Sequence, residues 1–182
     1  MDNKVVYLTG FMGSGKSTIG PIIANTLGWE FFDLDIVIEN ETGMKIKEIF
    51  DIYGEDYFRN LERQVLLKIS DKHKIIVSLG GGTITNEKNL ELLKKTGLLF
   101  YLKLSPASAY RRLKYKNDRP VLLSDLGEIY SKEDLLKKIN MLFEKRKIFY
   151  EQADFIIETD NMPVGKTVDR IVKIINNEIE QK

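Results

Sequence analysis

The chain has 182 residues, of which 43% are hydrophobic and 30% charged, with a formal net charge of +1. That is the make-up of one folded domain with its own core, not of a disordered chain. So even a charge balance excludes a broad nucleic-acid or membrane surface, while leaving room for a small arginine-lined pocket. Cysteine is absent, which excludes disulfides and zinc–thiolate sites and fits a reducing compartment. No apolar run approaches the ~20 residues of a membrane span, and the chain enters a strand at once, so a cytoplasmic protein is expected. The single histidine, His73, stands in a polar turn and reads as solvated.

In chain order, a short apolar strand at Val5–Leu8 leads into Gly10-Phe11-Met12-Gly13-Ser14-Gly15-Lys16-Ser17, followed by a helix from Ser17 to Leu27. Strand, glycine-rich turn, Lys-Ser and helix make up the phosphate-binding loop in the context that gives the motif its meaning. The glycines let successive N–H groups of Gly13, Ser14 and Gly15 curl into an anion nest, with Lys16, Ser17 and Thr18 opening the helix behind them. Lys16 can reach the outer phosphates of a nucleotide and the Ser17 hydroxyl can ligate Mg²⁺. Pro21 is expected to cause a local irregularity without breaking the helix, and Gly28 to end it.

Glu30–Asp35 reads as a short buried strand ending in two acids, with brief helices at Ile36–Thr42 and Met44–Ile52 and an interruption at Gly54. Glu55–Lys72 is the clearest amphipathic helix, with Phe58, Leu61, Val65, Leu66 and Ile69 on its core face. Ile75–Leu79 is a central strand running into Gly80-Gly81-Gly82. A helix at Asn86–Thr96, a strand at Leu98–Leu104 and a helix from Pro106 to about Lys114 come next. Tyr115–Ser131 shows no period and reads as a mobile excursion. Ser131 caps a long helix to about Gln152, Phe155–Ile157 is the last strand, Asp160–Pro163 a turn, and Val164–Glu180 the closing helix. Strands alternating with helices predict a three-layer α/β/α sandwich on a parallel sheet, in one domain. Ligands of such folds gather at the carboxyl ends of the strands, which brings together the phosphate loop, Asp33 and Asp35, the triple glycine and the turn at Asn161.

Asp33 and Asp35 are two residues apart and face opposite ways if the strand persists. One carboxylate can then help hold Mg²⁺ with Ser17 and the other can face a hydroxyl-bearing acceptor. Equally, both can serve as helix N-caps before Ile36.

Several stretches together resemble the shikimate kinase family. They are Gly10–Ser17, Phe32-Asp33-Leu34-Asp35, Gly54–Glu62, Ser78–Gly82, Arg119-Pro120, and Arg146 with Tyr150, in order from Lys4 to about Pro163. The resemblance implies a nucleoside monophosphate kinase-like fold with a five-stranded parallel sheet in the order 2-3-1-4-5, carrying a lid at about 114–126 and an acceptor-binding region at about 33–62. It implies transfer of the γ-phosphoryl of ATP to the 3-hydroxyl of shikimate, a step of aromatic amino acid biosynthesis through chorismate. Asp35 would contact that hydroxyl, Arg59 and Arg146 would hold the substrate carboxylate, and Gly80, Gly81 and Gly82 would line its ring. Asp33 and Ser17 would serve Mg²⁺, Arg119 would come down with the lid onto the phosphates, and Arg112 and Pro163 would border the adenine. ATP and shikimate are then the expected partners of a monomer, with no nucleic acid and no membrane.

Physical chemistry supports these roles: a planar guanidinium matches a carboxylate better than an ammonium does, and glycine admits a ring where a Cβ would clash. Plainer roles exist for the same residues. Arg59 can pair with Glu55 or Glu62 on a helix surface, Arg146 sits in a charged run, and the triple glycine can be a simple turn. Two other functions use the same scaffold: a kinase for gluconate or a nucleoside monophosphate, and a nucleotide-gated binding module without transfer.

Overall fold

The computed structural model describes residues 5–113 and 131–180. Five strands form one parallel sheet in the order β2-β3-β1-β4-β5: β1 (Val5–Thr9), β2 (Glu30–Asp33), β3 (Ile75–Ser78), β4 (Leu98–Lys103) and β5 (Phe155–Glu158). All four pairings are parallel, with Tyr7 opposite Val77 on one side and Leu99 on the other. This is the order the family resemblance implies.

Alternation along β1 builds two cores. Val5 and Tyr7 face one layer, where they meet Val77, Leu99 and Tyr101, and Val6 and Leu8 face the other with Ile76, Phe100 and Leu102. The second layer is covered by α1 (Lys16–Leu27) and α7 (Val164–Glu180), through Ile19, Ile23, Val168, Ile171 and Ile175. The first is covered by α2 (Leu34–Thr42), α3 (Ile46–Ser70), α4 (Glu87–Thr96), α5 (Pro106–Leu113) and α6 (Lys132–Tyr150). Three layers result, as expected for a parallel sheet, whose strands need cover on both faces.

Local expectations hold in most places. Helix α1 runs unbroken through Pro21 and ends at Gly28 in the left-handed conformation. Proline has no N–H to give, yet the flanking bonds and the buried face of Ile19 and Ile23 keep the helix intact. Helix α3 is two helices in one: at Gly54 the backbone leaves helical values (φ 82°, ψ 175°) and then resumes. Ser131 caps α6, its hydroxyl accepting from the Asp134 N–H at 3.1 Å.

The strand Glu30–Asp35 is shorter and less buried than its apolar centre suggests. β2 stops at Asp33, lies at the sheet edge and is half-exposed, so it needs cover mainly from one neighbour. Asp35 therefore belongs to the first turn of α2, not to the strand. The expected excursion at Tyr115–Ser131, apart from Ser131 itself, and the lid at 114–126 with Arg119 lie outside the described residues.

Candidate active site

The phosphate loop is built by backbone geometry. Gly15 caps α1 at φ 102° and ψ 9°, a conformation a Cβ would oppose, and no side chain caps the helix there. Its first turn carries no acidic residue, so the positive dipole end of the helix suits an anion. Lys16 Nζ lies over this loop, donating to the Gly10 carbonyl at 2.8 Å and reaching that of Phe11 at 3.4 Å. The ammonium is thus held where outer phosphates would meet it.

Next to the loop, the Ser17 hydroxyl donates to Asp33 Oδ2 at 2.9 Å. The other oxygen of Asp33 accepts from the Asp35 N–H at 3.2 Å, so Asp33 is the N-cap of α2 as well. The capping role and the loop-facing role are not alternatives: one carboxylate does both with its two oxygens. Because the chain turns into α2 at Leu34, the two acids are set apart by the change from the extended N-cap to the first turn of the helix and not by strand alternation.

Beyond Asp35 the cleft is organised around the triple glycine. A Cβ built on Gly80 would lie 3.2 Å from Asp35 Oδ1, 3.1 Å from Thr83 Oγ1 and 3.3 Å from Glu62 Oε1. One on Gly81 would stand 3.2 Å from Arg146 Nη1, and one on Gly82 only 2.7 Å from Arg59 Nη2. Glycine lets these groups approach closely: the side chains of Asp35, Glu62, Thr83, Arg146 and Arg59 crowd the same three residues, and an added methyl group would have to displace them. Asp35, Arg59 and Arg146 are therefore neighbours although they come from α2, α3 and α6.

Both arginines are partly buried, not splayed into solvent. Arg59 donates to Glu62 Oε2 at 3.0 Å and to Glu55 Oε1 at 3.0 Å, so its surface-type pairing and its place in the cleft coexist. The two carboxylates raise the basicity of its guanidinium against the desolvation that lowers it. Glu62 is fully buried and takes a 2.6 Å bond from the Thr83 hydroxyl with its other oxygen. Tyr150, one helical turn after Arg146, donates to the Gly81 carbonyl at 2.6 Å. Burial pushes the Tyr150 hydroxyl up to about 12, so it remains a donor throughout the neutral range, with Arg146 pulling the other way.

At the far end, Arg112 donates to the Gly13 carbonyl at 2.9 Å and to the Thr159 carbonyl at 3.1 Å, tying α5 to the loop and to the end of β5. Pro163 is exposed and its neighbours Met162 and Val164, not Pro163 itself, line the cleft. One continuous cleft of about 800 Å³ takes in Gly13 to Thr18, Asp33, Asp35, Arg59, Gly80 to Gly82, Arg112 and Arg146. That volume holds a nucleotide and a small acceptor side by side.

Sequence reasoning did not assign a site role to Phe50, Phe58 or Ile46, which form an apolar wall beside Arg59. Phe58 was expected in the core and is indeed buried, and the same ring borders the cleft. Its helical period signals burial only; no pattern distinguishes a core face from a pocket wall. Glu62 and Thr83 were likewise invisible as partners, because their contact spans 21 residues.

The shikimate kinase family model matches residues 12–176. The chain belongs to the shikimate kinase family. A shikimate kinase of Chlorobaculum parvum is 44% identical over 179 residues, covering 98% of this chain and 96% of that one. Among solved structures, shikimate kinase from Bacteroides thetaiotaomicron superposes with a TM-score of 0.87 at 32% identity, over 95% of this chain and 98% of that one. Shikimate kinase from Acinetobacter baumannii, solved in complex with shikimate, gives the same TM-score and identity over 96% and 94%. This family member is accordingly an ATP-dependent kinase on a P-loop scaffold. Among the described residues no helix is long and apolar enough to cross a membrane.

Proposed function

We propose that this kinase transfers the γ-phosphoryl group of ATP to the 3-hydroxyl of shikimate, giving shikimate 3-phosphate and ADP. The observation that carries the reading is the convergence of Asp35, Arg59 and Arg146 on Gly80–Gly82, in the cleft that also holds the phosphate loop. A compact hydroxy acid needs such an arrangement: a guanidinium pair for its carboxylate, close backbone for its ring and a carboxylate for its reacting hydroxyl.

The roles divide along the cleft. Gly13, Ser14, Gly15 and Thr18 surround the phosphate oxygens at the mouth of α1, whose positive dipole end faces them, and Lys16 neutralises charge that develops on the transferred group. Arg112 and the Met162–Val164 turn border the adenine. Asp35 orients the acceptor hydroxyl and takes its proton as the new O–P bond forms and the bond between the γ-phosphorus and its bridging oxygen breaks. Arg59 and Arg146 bind the acceptor carboxylate, and Ile46, Phe50 and Phe58 exclude water from its apolar face.

Ser17 and Asp33 suit Mg²⁺: two hard oxygen donors at the edge of the phosphate loop, with no cluster of three acidic or imidazole groups among the described residues. That donor set fits a metal that arrives with the nucleotide, and such an ion would be held by Ser17 and Asp33 and would supply positive charge to the phosphate groups. Asp33 would act largely through water. The near-neutral charge supports a protein without nucleic-acid partners, the absence of cysteine fits a cytoplasmic location, and a cleft lined by one chain fits a monomer.

The test is ADP release with shikimate, gluconate, AMP and CMP as acceptors, with and without Mg²⁺. Robust Mg²⁺-dependent turnover is expected with shikimate alone. Equal release with gluconate would overturn the assignment.

A further inference from the structure

We propose that Asn89, on the first full turn of α4, is a positioning residue for the acceptor-binding arginine Arg59. Asn89 is 2% exposed and spends both ends of its amide inside the protein. Its Nδ2 donates to the Thr83 carbonyl at 3.0 Å and its Oδ1 accepts from Arg63 Nη1 at 2.9 Å. The Thr83 N–H donates to the Gly80 carbonyl at 3.2 Å and its hydroxyl to Glu62 Oε1 at 2.6 Å, while Glu62 Oε2 holds Arg59 Nη1 at 3.0 Å.

This chain has a direction. Asn89 fixes the single 3-10 turn Thr83–Thr85, that turn fixes the buried Glu62 carboxylate, and the carboxylate fixes the guanidinium that lies against Gly82. Arg63, one residue after Glu62 on α3, anchors Asn89 from the other side, so the loop after the glycines is clamped between α3 and α4. Without Asn89 the Thr83 carbonyl loses its buried donor, the turn has reason to move toward water, and the Thr83 hydroxyl moves with it. Arg59 would keep its charge and lose its fixed direction, which matters for a planar, bidentate contact.

The inference rests on the reading of Arg59 as a carboxylate ligand, and the experiment separates the two. Steady-state KM values for shikimate and ATP are measured on the full chain carrying Asn89→Ala, Asn89→Asp, Thr83→Val, Arg59→Ala, and Arg59→Ala combined with each of the others. Asn89→Asp keeps the acceptor for Arg63 and removes the donor to Thr83, so it supplies the answer should the alanine variant not fold. Thr83→Val removes the hydroxyl with little change of shape. Each single change at 89 or 83 is expected to raise the shikimate KM about three- to tenfold, with ATP KM and kcat within about twofold. In the Arg59→Ala background the same changes should add less than about twofold, since residues in one network are not additive. An unchanged shikimate KM, a parallel rise in both KM values, or full additivity with Arg59→Ala would overturn the role of Asn89. A normal shikimate KM in Arg59→Ala itself would instead remove the carboxylate reading, and the inference with it.

Discussion

The Ser17 hydroxyl and Asp33 Oδ2 stand 2.9 Å apart, joining the first turn of α1 to the N-cap of α2. This bond crosses from the phosphate loop to the acceptor side of the cleft, and it is exposed. Ser17→Ala is therefore expected to raise the Mg²⁺ concentration for half-maximal activity by about tenfold or more. Its thermal stability should change by less than about 1 kcal/mol, because an exposed hydrogen bond is readily replaced by water. Activity titrated with Mg²⁺, alongside a melting curve, checks both halves.

Asp35→Asn keeps the size of the side chain and its place in α2 while removing the proton acceptor. Turnover should fall by about a hundredfold or more, the usual range for a positioned base. Nucleotide binding should be intact, since no phosphate contact passes through Asp35. Calorimetric titration with ATP and an ADP-release assay together measure this split; undiminished turnover would mean that the acceptor lies elsewhere.

Arg59→Ala is expected to raise the shikimate KM by about tenfold or more, with ATP binding unchanged. It also leaves the buried Glu62 carboxylate without its cation, at a cost of about 1–3 kcal/mol. Arg59→Lys should restore much of the stability and little of the affinity, because an ammonium cannot reproduce the guanidinium fork. Urea unfolding and steady-state kinetics on the pair distinguish charge from geometry.

Gly82→Ala acts on the same arginine from the opposite side. The added Cβ would meet the flexible end of Arg59, so the guanidinium shifts and the backbone need not. The shikimate KM should rise severalfold, with stability within about 1 kcal/mol of the parent. A large fall in melting temperature would show that the loop itself cannot accommodate the methyl group.

The buried Tyr150 hydroxyl makes stability sensitive to alkali. Its value of about 12 in the folded protein lies above the ordinary 10.0, so the unfolded chain ionises first. Its contribution is complete below pH 10 and is lost as pH rises from 10 toward 12, by about 2–3 kcal/mol in all. Tyr7, pushed up to about 12 by burial, acts in the same direction. Tyr150→Phe should flatten the decline in melting temperature over that window and lower stability at neutral pH by about 1 kcal/mol through loss of the bond to Gly81. Melting curves at pH 8 to 12 on both proteins make the comparison.

Much of the site was legible locally. Gly10–Ser17 announced a phosphate loop because its chemistry is carried by consecutive backbone groups, which a contiguous motif specifies completely. The β/α alternation likewise announced the layered sheet. Less local features were misread or unseen. Asp35 was placed on a strand because Phe31-Phe32 is apolar, although the Asp33 carboxylate caps a helix that starts at Leu34. A cap of this kind depends on the dihedral angles of one residue, which alternating hydrophobicity does not report.

The order of elements and the residue types available to the chemistry were thus determined by the sequence alone, since propensity, capping and backbone freedom act over a few residues. Which guanidinium meets which carboxylate was not. Arg59 pairs with Glu62 within one helix turn, but Glu62 is buried against Thr83, and Arg146 reaches Gly81 from a helix more than sixty residues further on (Tyr150, on the same helix, bonds Gly81 across 69). Only the closing of α3 and α6 over the carboxyl ends of β1 and β3 brings these groups together, because contact between distant segments is set by the packing of whole faces and not by any local pattern.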